Sequence, residues 1–202
     1  MARDEIKRAI FIDYEGSKDK PPTLLGYMVD GAVKAAIVEP CFSDCAGRYR
    51  AKHAVAADHG KIVRQLSDLS EKEDRVIISW SEHDYNKMME VLRADAPAAT
   101  ILRKRFRNAI YSARRWIEIQ YPQTSLKRND LASMMQVTGY CVPEKYGTNL
   151  VKDALRLLRK QLTEARKYAD LTDAAVKGWR TVAKHNVHDL KGMRQALENL
   201  IT

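Results

Sequence analysis

The sequence predicts an α/β domain, with a mixed sheet flanked by helices and a helical C-terminal half. Two observations predict it. Short β-rich runs crowd the first forty residues and return as RVIISW, after which a 3.6-residue apolar period takes over. A length of 202 residues, with no internal repeat or low-complexity tract, fits a single domain over residues 1–202.

RAIFIDYEG begins apolar and ends in two acids, as a buried strand does. After Pro21 and Pro22, LLGYMV predicts a second strand. Asp30-Gly31 is a two-residue hairpin signal, and AVKAAIVEP returns as a third strand stopped by Pro40. The three form an antiparallel meander. Cys41 to about His53 is irregular. A helix is expected from about Val55 to Leu69, with Ile62, Leu66 and Leu69 on one face. RVIISW is the fourth strand. Asp84 then opens a helix, YNKMMEVLRA, that ends before Pro97. FRNAIYSARRWIEIQ is ambiguous between helix and strand, with Asn108–Tyr111 the candidate for a fifth strand. NDLASMMQVTGY predicts a helix closed by Gly139. NLVKDALRLLRKQLTEARKYA is amphipathic, with Leu150, Ala154, Leu157, Leu158 and Leu162 on its apolar side. The last helix runs from about Thr172 to Leu200.

Composition narrows the function. A formal net charge of +9 attracts polyanions, of which nucleic acid is the commonest. No apolar run approaches the ~20 residues a membrane span needs. MARDEIKRAIFI lacks the apolar core of a signal peptide. Cys41, Cys45 and Cys141 are too few for a disulfide scaffold. A cytoplasmic protein without membrane contact is expected. No Gly-rich phosphate loop is present, which weighs against a kinase, ATPase or dehydrogenase.

Three patterns carry chemistry. Asp13 and Glu15 point to one face of the first strand, because strand side chains alternate. Burying both costs several kcal/mol unless a cation offsets them, and hard divalent ions prefer oxygen ligands. Alone, the pair also fits a solvated strand end. His185 and Asp189 sit four apart, on one face of a helix. Imidazole beside a carboxylate suits a metal ligand with a base, and equally an exposed helix pair. Asp84 lies at a strand-to-helix junction, where Asp also serves as an N-cap; Glu82 is a rival acid two residues earlier.

Their order along the chain, from about Arg8 to Leu200, resembles the DEDD 3′→5′ exonucleases of the ribonuclease H-like superfamily, which include polymerase proofreading domains. LASMMQVTGYCVP resembles the segment between that family's second and third motifs, and TVAKHNVHDLKGMRQALENL its final helix. The resemblance implies a ribonuclease H-like sheet, an antiparallel meander plus parallel strands. It implies Asp13 and Glu15 as the first motif, Asp84 as the second and Asp189 as the third. Those four acids would hold two Mg²⁺ or Mn²⁺ ions, Asp13 bridging them, for two-metal phosphodiester hydrolysis. His185 would take a proton from the attacking water. Family members place a catalytic His five residues before the last Asp and a catalytic Tyr four before; here a His stands at the Tyr spacing. The implied substrate is single-stranded DNA or RNA, with a protein partner from a replication, repair or RNA-processing assembly.

Arg103, Arg105, Arg107, Arg114 and Arg115 cluster with Phe106, Tyr111 and Trp116. Arginines meet phosphates and aromatics stack on bases, so this is the expected nucleic-acid surface; a solvated helix face fits equally. A similar stripe, Lys152, Arg156, Arg159 and Lys160, fits a solvated face better. Cys41 and Cys45 with His53 and His59 form a weaker zinc pattern. Trp80 and Trp179 are expected in the core. Beside the exonuclease stand a structure-selective endonuclease on the same fold, a non-catalytic nucleic-acid-binding domain and a protein-interaction module.

Overall fold

The computed structural model describes residues 1–16, 21–48, 54–120, 130–146, 148–164 and 167–200. Helix α1 (Arg3–Arg8) leads into β1 (Ile10–Gly16). β2 (Pro22–Val29) pairs antiparallel with β1 and with β3 (Ala32–Ile37). Asp30 and Gly31 turn the β2–β3 hairpin with φ of 49° and 79°. Two left-handed residues match the twist of the flanking strands, which is why Asp-Gly stands there. After a 3-10 stretch (Pro40–Arg48), β4 (Ala54–Ala56) runs parallel to β3. α2 (His59–Lys72) precedes β5 (Ile77–Ser79), which lies parallel to β1. α3 (Glu82–Val91) and α4 (Ala96–Arg105) precede β6 (Phe106–Asn108), parallel to β5. α5 (Ala109–Gln120), α6 (Leu131–Val137), α7 (Thr148–Thr163) and α8 (Asp173–Leu200) follow. The strand order is β4-β3-β2-β1-β5-β6, a mixed sheet with a helical second half.

Strand alternation sorts the core into two layers. Ile10, Ile12, Leu25, Ala36 and Ile77 face α2, α3 and α4, meeting Ile62, Leu66, Met88 and Leu102. Phe11, Met28 and Ile78 face the other way, onto α5, α6 and the C-terminal half of α8. Leu24, Ala35 and Ile37 share that second face, under α7 and the first half of α8, where Trp179 is fully buried. Each fully buried Leu or Ile contributes about 1.5–3 kcal/mol. The helix α8 therefore crosses the sheet with apolar residues at both ends of its contact. Its polar middle, His185 to Asp189, meets the carboxyl end of β1.

Several boundaries differ from the sequence expectation, each for a physical reason. Val55 belongs to β4 rather than a helix, because Ala54–Ala56 pair with Ala35–Ile37. The helix begins at His59, after Asp58 caps it by accepting from the Lys61 amide at 2.7 Å. The helix after β5 ends at Val91, before Pro97 as expected, but Pro97 then sits in the first turn of an additional helix, α4, where a missing N–H costs nothing. The fifth expected strand lies earlier, at Phe106–Asn108, paired with β5. On α7 the buried positions are Val151, Leu155, Leu158 and Leu162, and Leu150 is 48% exposed. Among the described residues, no helix is long and apolar enough to cross a membrane.

Candidate metal centre

β1 and β5 run parallel and adjacent, so their carboxyl ends open side by side. Asp13 and Glu15 leave β1 on the face covered by α8. Asp84 sits in the first turn of α3, just beyond β5, where Ser81 donates to its Oδ2 at 3.3 Å. From α8, Asn186 donates through Nδ2 to the Asp13 carboxylate at 2.7 Å and to the Asp13 carbonyl at 3.1 Å. Both partners only accept, which fixes the amide orientation. One turn around, His185 Nε2 lies 3.2 Å from Asp189 Oδ2 and 3.9 Å from Glu15 Oε1. Its Nδ1 lies 2.7 Å from the Tyr146 carbonyl, an acceptor, so Nδ1 carries the hydrogen.

The structure thus brings Asp13, Glu15, Asp84, His185 and Asp189 together. They divide unevenly. Asp13, Asp84, His185 and Asp189 line a cavity of about 500 Å³, with Trp80, Leu131, Met135, Val142 and Pro143 as its apolar wall. Glu15 adjoins it, and a ligand atom each from Glu15, His185 and Asp189 lie within 4.8 Å of one another.

Charge is unbalanced here. Burial, followed by the charges of Asp189 and Asp84, holds the Asp13 carboxyl well above the usual range. Burial and the charges of Asp13, Asp189 and Asp84 do the same to Glu15. Burial pushes Asp84 up to about 7 against the hydrogen bonds of Ser81 and Ser79. Asp189 is pushed up to about 6 by burial, with His185 opposing and Asp130 adding to it. Glu15 Oε1 is buried with no hydrogen-bond donor. An orphaned carboxylate oxygen is expensive, and acids packed this closely are relieved either by protons or by a cation. The residues present fit divalent metal ions.

Two further residues complete the site. Asn186 ties α8 to Asp13, and Gly26, opposite Asp13 on β2, makes room for it: a Cβ there would fall 1.8 Å from Asn186 Oδ1. The sequence held a signal for the second, since an isolated Gly in a strand marks close approach. His188 lies outside the acid set, with Nδ1 3.0 Å from the Tyr140 hydroxyl and its ring stacked on Tyr146.

The expected arginine surface is only partly assembled. Arg105 is bound to Glu71 at 3.0 Å and to Asp74, both before β5, at the opposite end of that strand from Asp84. Arg107 lies 3.8 Å from Glu5 of α1. Those two guanidinium groups tie the fold together; Arg103 and Arg115 are exposed and Arg114 is half-buried. None of the five is among the described residues lining the cavity. Arg159 is likewise structural, gripping Glu39 at 2.6 Å. The zinc pattern is not assembled among the described residues. Cys45 is buried with Trp179 on the α8 face, whereas His59 bonds Tyr14 at 2.6 Å on the other; His53 lies outside the described residues.

No family model, curated protein or solved structure matches the chain. The chemistry of the site rests on its own residues.

Proposed function

We propose that the protein is a metal-dependent nuclease on a ribonuclease H-like sheet, hydrolysing phosphodiester bonds of DNA or RNA. One observation carries this reading: four carboxylates from three distant segments converge at one site, Glu15 and Asp84 buried and Asp13 and Asp189 half-buried, with Glu15 Oε1 left without a donor. The strand order supports the fold assignment. Beside the antiparallel meander, β5 and β6 are added parallel on the β1 side, β4 is a further parallel strand at the β3 edge, and the acids sit at the carboxyl ends of β1 and β5.

Asp13, Glu15, Asp84 and Asp189 are the residues that would hold two Mg²⁺ or Mn²⁺ ions. When bound, such ions supply charge neutralisation at the phosphate and an activated water. The chain prepares the site for them. Asn186 locks the Asp13 carboxylate, Ser81 steadies Asp84, and Tyr146 fixes the His185 ring. The cavity falls within the ~300–1,000 Å³ of small-ligand sites. Its wall of Trp80, Leu131, Met135, Val142 and Pro143 suits the apolar faces of a terminal nucleotide. That favours an exonuclease on single strands; the 3′→5′ direction follows from the family resemblance.

Single strands labelled at the 5′ end, incubated with Mg²⁺, Mn²⁺ or EDTA, test this. The expected result is a metal-dependent ladder shortening from the 3′ end. Discrete internal cuts would indicate an endonuclease instead. A mobility shift without cleavage would indicate a binding domain, and neither cleavage nor shift would end the nucleic-acid reading.

A further inference from the structure

The metal-dependent reading leaves open what His185 does. At its spacing from Asp189 it departs from the general base of the resembled family, and its surroundings point to another role. Nδ1 is occupied by the Tyr146 carbonyl, which leaves the Nε2 lone pair aimed at Glu15 and Asp189. A lone pair facing two carboxylate oxygens is repulsive unless something positive lies between them. Glu15 Oε1 lies 3.9 Å from Nε2, beyond hydrogen-bond reach, so the imidazole alone does not satisfy it. A metal ion meets all three atoms at once.

Resting on that reading, we propose that Glu15, His185 and Asp189 form a mixed nitrogen–oxygen site, with His185 Nε2 bound directly to a transition-metal ion taken in preference to Mg²⁺. The distances fit. Metal–ligand bonds of ~2.1 Å put neighbouring ligand atoms roughly 3.0–3.4 Å apart. His185 and Asp189 already stand at 3.2 Å, and only Glu15 has to swing inward. Burial supports a built site: Glu15 is 7% exposed, His185 6%, and the Glu15 oxygen that faces the imidazole has no other partner. The Nδ1 hydrogen bond to a carbonyl is the usual means of orienting a ligating histidine. Selectivity follows from ligand chemistry. Mg²⁺ prefers oxygen throughout, whereas an imidazole shifts preference toward transition ions, of which Mn²⁺ also accepts carboxylates. Asp13 and Asp84, supplying only oxygen, form the half of the centre that Mg²⁺ can share.

Pulsed EPR of the protein loaded with Mn²⁺ reads this out without any turnover. Wild type is expected to show a directly coordinated ¹⁴N coupling that changes on ¹⁵N-histidine labelling and survives excess Mg²⁺. His185→Gln is expected to lose the coupling and to weaken Mn²⁺ binding roughly tenfold or more, at least the cost of removing a ligand-orienting partner. His83→Gln is expected to keep it, although His83 also lines the cavity. Mn²⁺ bound to wild type without nitrogen coupling would overturn the inference and leave the nuclease reading standing. So would a coupling lost in His83→Gln but kept in His185→Gln. Wild type that binds no Mn²⁺ would end both. The labelled wild-type spectrum decides nitrogen ligation even where a variant fails to fold.

Discussion

Two acidic sites lie under the same helical layer, one around the single half-buried carboxylate of Glu39 and one around four acids, and they solve the problem of sheltered charge in opposite ways. At Glu39 both carboxylate oxygens have donors: Arg159 Nε at 2.6 Å and Nη2 at 2.8 Å, with the Thr23 hydroxyl at 2.5 Å. Burial would raise Glu39, but the Arg159 and Thr23 hydrogen bonds outweigh it, and the carboxyl ends below its ordinary value. At β1 the four acids are all raised, one oxygen is orphaned, and the nearest nitrogen base is a single imidazole. The first cluster is complete within the chain and joins α7 to the sheet. The second leaves Glu15 Oε1 without a donor from the chain. Completeness, more than burial or acidity, separates the two.

Mutation breaks the comparison most sharply. Asp13→Asn removes one charge from the unbalanced cluster and keeps the shape. Cleavage is expected to fall to background, while stability in EDTA stays level or rises as repulsion is relieved. Arg159→Met removes the balancing charge from the other cluster. It is expected to lose about 3 kcal/mol, the lower end for breaking a buried pair because both groups keep some solvent, with the metal chemistry intact. Urea denaturation with a cleavage assay on both variants checks this. Full activity in Asp13→Asn would refute the site.

Acidity separates the clusters next. Asp84 and Asp189 bind protons more tightly in the folded chain than in the unfolded one. Their stabilising contribution is therefore complete below about pH 4 and is lost as pH rises through about 6 for Asp189 and about 7 for Asp84. Glu39 runs the other way: its lowered carboxyl stabilises above the ordinary carboxylate range and loses that as pH falls. Between about pH 5 and 8 the melting temperature in EDTA is expected to fall as pH rises. Mn²⁺ should flatten that slope, because the cation replaces the proton. A flat EDTA profile would mean that the four acids are not strained together.

How much of this the sequence displayed depended on the range of the interaction. The Asp30-Gly31 hairpin and the α8 period were legible because local backbone chemistry decides them. β4 was not, since Ala-Val-Ala suits helix or strand and only pairing with β3 chooses. Asp13, Glu15, Asp84, His185 and Asp189 were legible as types in an order, and their convergence is a matter of tertiary structure. Arg105 misled for the converse reason: a basic run looks alike whether its partners are phosphates or Glu71 and Asp74.

Gly26 makes the finest test, because it concerns shape and not charge. Its missing side chain is the space in which Asn186 reaches Asp13. Gly26→Ala would place a methyl carbon 1.8 Å from Asn186 Oδ1, and Asn186 is fully buried with no room to retreat. The expected cost is ~1–3 kcal/mol of overpacking strain, together with weaker Mn²⁺ binding as Asp13 loses its anchor. Gly26→Ala combined with Asn186→Ala removes the clash. It should recover much of the stability in chemical denaturation but not the metal affinity in titration calorimetry. Recovery of both would mean that Asn186 merely fills space; recovery of stability alone would show that Asn186 holds the Asp13 carboxylate in place for the ion.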